Sequence, residues 1–179
     1  MNLRSAQVKA EKHRHSEHDT LPRCYTHYVN REALPPAIEQ VLRRFQGMDR
    51  ETRMQALLSY ARKLEPVPER YRDLPPEAFA VPECQTPVRI FAELRDRKLH
   101  FYADLDVRQS PTVAAFLSIL FSAVNDQPPD TALAIPPDFV RRVMESIGLG
   151  AREVGLNALV QRVKRHAREA LEGGASGAQ

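Results

Sequence analysis

The stretch Val88-Arg89-Ile90-Phe91-Ala92-Glu93-Leu94-Arg95-Asp96-Arg97-Lys98-Leu99-His100-Phe101-Tyr102-Ala103-Asp104 decides the fold class of this chain. Val88, Ile90, Ala92 and Leu94 alternate with Arg89, Phe91, Glu93 and Arg95. Leu99, Phe101 and Ala103 alternate with His100, Tyr102 and Asp104. A period of two is the pattern of a strand with one face on a core. Only Asp96-Arg97 separates the two runs, which predicts an antiparallel hairpin with a tight turn. Two strands alone are marginal in water, so helices must cover one face, with room for a third short strand.

Helices are expected on both sides of the hairpin. Ile38, Val41, Leu42 and Phe45 follow helical spacing, with Pro35 and Pro36 at the start and Gly47 at the end. Asp49 is placed to cap a second helix whose apolar stripe reads Met54, Leu57, Leu58, Ala61 and Leu64. The joint is short, so these two helices should pair antiparallel. Ser110-Pro111 reads as an N-cap and first turn. The run from Val113 to Val124 is apolar nearly all round, as in a buried central helix. A helix near 137–147 carries Phe139, Val140, Val143 and Ile147, and Gly148 is its expected end. The last helix, about 151–171, places Leu156, Leu159, Val160, Val163, Ala167 and Leu171 on one face, with Arg162, Lys164, Arg165 and Arg168 elsewhere on its surface. The order of helices, hairpin, helices is α+β: a small antiparallel sheet covered by helices.

Residues 65–87 interrupt this regularity. Pro66, Pro68, Pro75, Pro76, Pro82 and Pro87 deny a regular helix or a central strand. Long irregular segments in compact domains are uncommon and often functional. Residues 1–33 carry Lys9, Lys12, His13, Arg14, His15 and His18 and few large apolar side chains, so a mobile extension is expected there. A disordered tail is expected over 172–179, leaving one folded domain at 34–171.

Composition limits the function classes. The 179 residues are 42% hydrophobic and 27% charged, which is globular composition. A formal net charge of +3, no Trp and 7% aromatics give little for a nucleic-acid surface or a base-stacking platform. The sequence has no apolar run of membrane-spanning length and no apolar core of a secretory signal, so neither a membrane span nor export is expected, and a cytoplasmic location is. Two cysteines, Cys24 and Cys84, do not make a disulfide scaffold.

Cys84 lies in Val81-Pro82-Glu83-Cys84-Gln85-Thr86-Pro87, close to the end of the proline-rich segment. A loop cysteine framed by prolines is held without belonging to a regular element. It is either a reactive thiol or a small packing hydrophobe. No histidine with a supporting acid stands at a recognisable spacing, so a cysteine-protease reading is weak. Asp104 and Asp106 read as strand-end and turn carboxylates that cap Ser110 or a nearby amide, or that shape the Cys84 loop or meet a partner. Arg152 opens a helix, where the dipole disfavours a cation. It is either a plain exposed arginine or a group that contacts the Cys84 loop, steadies an anionic sulfur or meets a partner. His13, His15, His18, Cys24 and His27 include the ligand-like spacing Cys24-x-x-His27, but a second well-spaced pair is missing, so no metal is expected.

The chain resembles the SufE family in four motifs that occur in register. Cys84-Gln85-Thr86 and the hairpin after it resemble the family's Cys-Gln-Ser motif, and Ala103-Asp104-Leu105-Asp106 resembles its Ala/Gly-Asp-Ser-Asp. The apolar helix from Pro111 to Val124 matches the helix that follows, and Arg152 with Gly155 and Leu156 is similar to the Arg-Ser-Asn-Gly-Leu opening of its last helix. Thr86 and Leu105 replace serines, Arg89 stands where an apolar or aromatic residue is usual, and Glu153-Val154 replaces the polar pair after Arg152. The resemblance implies that Cys84 accepts persulfide sulfur from a cysteine desulfurase, stimulates its turnover and passes the sulfur to iron–sulfur cluster assembly. It implies supporting or partner-binding roles for Gln85, Asp104, Asp106 and Arg152. The partners implied are a SufS-like desulfurase, which owns the pyridoxal phosphate, and a SufB-containing scaffold complex. The chain itself would be no stand-alone enzyme and would need no cofactor and no metal. Two other readings remain: a small thiol-dependent reductase or transferase using Cys84, and a non-catalytic interaction module.

Overall fold

The computed structural model describes residues 33–147 and 153–175. Seven helices and two strands follow in the order α1 (Pro36–Phe45), α2 (Arg50–Ala61), α3 (Pro76–Phe79), β1 (Arg89–Arg95), β2 (Lys98–Asp104), α4 (Pro111–Val124), α5 (Pro129–Leu133), α6 (Phe139–Ser146) and α7 (Glu153–Ala175). The class is α+β, as the sequence pattern indicates. The expectations for residues 1–32, Cys24 and the histidines among them, and for Arg152 and residues 176–179, lie outside the described residues. The last helix continues beyond the expected end at 171 to Ala175.

The hairpin closes as its alternation predicts. β1 and β2 pair antiparallel with Arg95 opposite Lys98 and Arg89 opposite Asp104. Asp96 and Arg97 both take left-handed backbone, φ 49° and 61°. A two-residue loop that follows the right-handed strand twist requires positive φ at both positions. Among the described residues there is no third strand. Single bridges extend the sheet instead: Ala80 to Arg89 on one edge and Leu99 to Gln127 on the other. The Asn125 side chain continues the second edge, accepting from Phe101 N at 2.9 Å and donating to Phe101 O at 3.2 Å.

Alternation assigns one apolar face to the sheet, but both faces are covered. On the expected face Ile90, Leu99, Phe101 and Ala103 are buried. Phe101 lies 5.8 Å from the Phe121 ring of α4 and 6.5 Å from His166 of α7. On the face expected to be polar, Phe91 and Tyr102 are buried as well. The proline-rich segment covers them. Tyr71 stacks on Phe91 at 4.7 Å between centroids, and Phe79 lies at the same distance from Phe91. Leu94 correspondingly ends exposed near the hairpin tip. The segment is therefore less irregular than its prolines suggest: a 3-10 turn at Glu69–Tyr71 and the single turn α3 place these rings.

α4 is the buried core helix, with Ala114 to Leu117, Ile119 and Leu120 fully enclosed. α1 and α2 pack on it. Asp49 caps α2 through Thr52 N at 2.9 Å, as expected. Three expectations are corrected. Met54 and Leu58 of α2 are exposed, because only Leu57 and Ala61 turn inward. Leu171 is exposed near the end of α7. The Ser110 side chain makes no cap; its hydroxyl lies 3.3 Å from Thr86 Oγ1 instead. Among the described residues no helix is long and apolar enough to cross a membrane.

His100 joins three parts of the chain. Its Nε2 lies 3.0 Å from Glu65 Oε2 and 3.3 Å from Asn125 Nδ2, and its Nδ1 lies 3.0 Å from Asp126 Oδ1, with the Tyr102 ring beside it. Burial alone would lower its pKa, but the hydrogen bonds and charges of Asp126 and Glu65 outweigh burial and raise it. A histidine with a folded pKa above its unfolded value of about 6.5 stabilises the fold at low pH, and that stabilisation disappears as pH rises through the folded pKa. His166 on α7 moves the other way, because burial lowers its pKa. The difference between the wild type and His100→Gln cancels that opposing effect. Urea unfolding is expected to show the largest deficit of His100→Gln below about pH 6, shrinking as pH rises through the raised folded pKa. A deficit that grows with pH would contradict the pairing.

Candidate functional site

Cys84 stands in a turn between the single-turn helix α3 and β1. Val81 N donates to Val88 O at 3.0 Å, which closes the neck of a short loop, and Cys84 N donates to Val81 O at 3.0 Å inside it. Ala80 pairs with Arg89 at the same neck. The prolines at 82 and 87 supply no N–H to compete with these bonds and restrict the backbone on both sides of the thiol. Glu83 and Gln85 are exposed while Cys84 between them is only 9% exposed. The thiol therefore points inward from an exposed turn. It is a free cysteine.

Helix α7 supplies the surface against which the thiol rests. A Cβ at Gly155 would lie 3.4 Å from Cys84 Cα, 3.5 Å from its Sγ and 3.7 Å from Gln85 N. These are ordinary contact distances, so α7 at Gly155 lies directly beside the turn with room for one carbon between them.

The open side of Cys84 is a surface cavity of about 540 Å³. Cys84, Gln85, Asp104 and Asp106 all line it. These are four of the five residues that the sequence singles out, gathered on one wall system. Arg152, the fifth, lies outside the described residues. The two aspartates differ in what they do. Asp106 Oδ1 accepts from Arg108 N at 2.9 Å and Gln109 N at 3.1 Å, a turn-capping role that the sequence allows. Asp104 instead accepts from the Arg89 guanidinium across the hairpin, and that guanidinium also stands over the Phe91 ring. Arg89 brings a cation to the cavity wall, paired with a half-exposed carboxylate.

Among the described residues no histidine lines the cavity beside Cys84. Among the described residues no three His, Cys, Asp or Glu side chains converge as a metal-binding group. The local chemistry is that of a single sheltered thiol beside polar and charged groups. Sequence reasoning misses Arg162 of α7 as part of this neighbourhood. It is not simply a surface residue, because its guanidinium reaches the carbonyls of Ala78 and Ala80 at the neck of the loop. No local pattern marks such a contact, which joins residues more than eighty positions apart.

Comparison with known proteins agrees with this architecture. Residues 39–167 match the SufE family, an Fe-S metabolism associated domain. An uncharacterized SufE-like protein of Mycobacterium tuberculosis is 32% identical over 146 residues, covering 77% of this chain and 96% of that protein. An uncharacterized SufE-like protein of Synechocystis is 32% identical over 108 residues, 60% of this chain and 64% of that protein. The solution structure of a hypothetical protein from Thermus thermophilus superposes with a TM-score of 0.64 at 33% identity, covering 78% of this chain and 99% of that one. With the matched region spanning the hairpin, the Cys84 turn, α4 and most of α7, the chain belongs to the SufE family, whose domain is associated with iron–sulfur metabolism.

Proposed function

We propose that this protein is a sulfur acceptor and carrier whose acceptor atom is Cys84 Sγ. A cysteine desulfurase, with its own pyridoxal phosphate, forms a persulfide on its own cysteine. Cys84 thiolate attacks the outer sulfur of that persulfide. The new S–S bond forms on Cys84, the old one breaks, and the desulfurase thiolate leaves with the electron pair. The persulfide then passes to an iron–sulfur assembly scaffold. Removing the persulfide frees the desulfurase for another turnover, so the carrier acts as a partner rather than as a stand-alone enzyme. A reduced cytoplasm suits this chemistry.

The observation that carries this reading is the placement of Cys84 on the wall of an open cavity, at the tip of a tied turn and with no histidine lining it among the described residues. Thiol exchange between two proteins needs access and a thiolate. It needs no general base to activate water or an acyl group, so a reductase, transferase or hydrolase is served less well. Shelter between transfers also protects a persulfide from oxidation. At 9% exposure the thiol meets solvent only over a small area, so outward movement of the turn on partner docking would widen its access. The same low exposure favours the rival reading, a cysteine that only packs in an interaction module.

Incubation with a cysteine desulfurase, pyridoxal phosphate and cysteine, followed by intact-mass measurement without reductant, separates the readings. The expected result is a gain of one sulfur that disappears in Cys84→Ser, with desulfurase turnover raised by the wild type alone. A protein that gains no sulfur and leaves turnover unchanged is not a carrier. A gain that survives Cys84→Ser moves the acceptor to Cys24.

A further inference from the structure

Arg162 follows Gly155 by seven residues on α7, so the two lie on one face of the helix. Gly155 meets Cys84. Arg162 reaches the chain that leads into the loop: its Nη2 donates to Ala80 O at 2.5 Å, and its Nη1 points at Ala78 O at 3.5 Å. Ala78 sits in the single turn of α3 and Ala80 directly follows it. Carbonyls at the end of a helix lack intrahelical partners, and a cation there satisfies them.

The opposite side of the neck is tied separately. Arg89 pairs with Ala80 through the backbone and with Asp104 through its side chain. Between these ties, among the described residues, the loop tip is held by Cys84 N to Val81 O, by the contact of Thr86 with Ser110 and by the packing of Cys84 against Gly155. With Pro82, Glu83, Gln85 and Pro87 exposed, loosening of the neck would leave the tip held by little beyond these contacts, and local opening follows such weakly tied regions. Holding a long arginine side chain in one geometry costs rotamer entropy, which the charge-assisted bonds to the neck offset.

We infer that Arg162 is a positioning residue of the sulfur site: a latch that keeps the Cys84 turn seated against Gly155 by gripping the carbonyls of Ala78 and Ala80. The inference rests on the carrier reading for its biological use, since the latch would set how readily the thiol is presented to a partner. Its test does not depend on that reading.

The measurement is the alkylation rate of Cys84 by iodoacetamide, in the full chain carrying Cys24→Ser so that one thiol remains. Arg162→Met keeps the stem and removes the donors, and Arg162→Lys keeps the charge on a single donor group. Arg162→Met is expected to alkylate about five- to tenfold faster than the parent, with Arg162→Lys between them. Leu57→Ala, a cavity on the α2–α4 side of the core, controls for general loosening and is expected to stay within about twofold of the parent at a temperature well below unfolding. A rate for Arg162→Met within twofold of the parent overturns the latch, and so does an equal acceleration by Leu57→Ala. Should Arg162→Met fail to fold, Arg162→Lys decides, and an unchanged rate there overturns it. Sulfur uptake from a desulfurase is scored separately, so its absence in the parent would end the carrier reading while the alkylation rates still judge the latch.

Discussion

Phe91→Ala is expected to destabilise the protein by about 3–5 kcal/mol, the cost of deleting a buried aromatic ring. That is a large share of the roughly 5–15 kcal/mol that typically separates a domain from its unfolded chain. Phe91 is fully buried on the sheet face opposite α4 and α7. Its ring is the common partner of Tyr71 and Phe79, each 4.7 Å away between centroids, and of the Arg89 guanidinium. Without it the proline-rich segment loses its apolar seat. What remains is the polar knot at Glu93, whose carboxylate accepts from Tyr71 Oη at 2.5 Å and from Arg70 and pairs with Arg95. Burial and the hydrogen bond to Glu93 push the Tyr71 phenol up to about 12, so it stays a donor at any ordinary pH. Burial tends to raise the Glu93 pKa, but Tyr71 and the two arginines outweigh it and hold it below the usual range, so the knot survives mild acid. Urea unfolding should therefore show a lower midpoint with one cooperative transition. A loss below about 1 kcal/mol would mean that the second face of the sheet contributes little to the core.

The sequence reading and the structure part company at this same residue. Period-two alternation is decisive where one sheet face meets water, and it correctly joins Ile90 to Leu99, Phe101 and Ala103. It cannot tell which large side chains of the second face are covered by a distant segment. Phe91 and Tyr102 were readable as apolar, but their cover comes from Tyr71 and Phe79, whose placement depends on two isolated turns without periodicity. The opposite error occurs on α2. Its stripe runs Met54, Leu57, Leu58, Ala61, yet against α4 only Leu57 and Ala61 are buried and Met54 and Leu58 stay in solvent. The turn Asp96-Arg97 was legible from length alone. Asp96 is a type that tolerates left-handed backbone but Arg97 is not, yet two residues between paired strands call for it at both positions.

The candidate site divides in a similar way. Cys84, Gln85, Asp104 and Asp106 were accessible through ordered motifs, and the hairpin physically explains their meeting: residue 89 faces residue 104, so the ends of the two strands bring the Cys84 turn and the aspartates to one cavity. Arg89 stood out only as a departure from a family pattern, and its pairing with Asp104 shows why a cation is tolerated there. Arg162 and the contact role of Gly155 depend on how α7 crosses the turn. Helical periodicity gives the inward face of α7 but not the backbone that face meets.

That crossing makes Gly155 the second sensitive point, and two substitutions there should diverge. Gly155→Ala adds one carbon at ordinary contact distance, 3.4 Å from Cys84 Cα and 3.5 Å from Sγ. Alanine is also about 1 kcal/mol better than glycine within a helix, so this variant should be as stable as the wild type or slightly more so. Gly155→Val adds two further carbons beyond that position, where the turn already touches the helix. Overpacking of this kind costs about 1–3 kcal/mol, and the relief available is outward movement of the turn, because α7 is fixed by Leu156, Leu159, Val160 and Val163 in the core. Cys84 would then lose its shelter, and its alkylation in a Cys24→Ser background should accelerate by about tenfold or more, while Gly155→Ala stays near the parent rate. Under the carrier reading the same variant should hold its persulfide for a shorter time in air, since the outer sulfur would sit in solvent. If Gly155→Val proved as stable and as slowly alkylated as Gly155→Ala, the helix and the turn would not be in contact, and the shelter of the thiol would have to come from the loop alone.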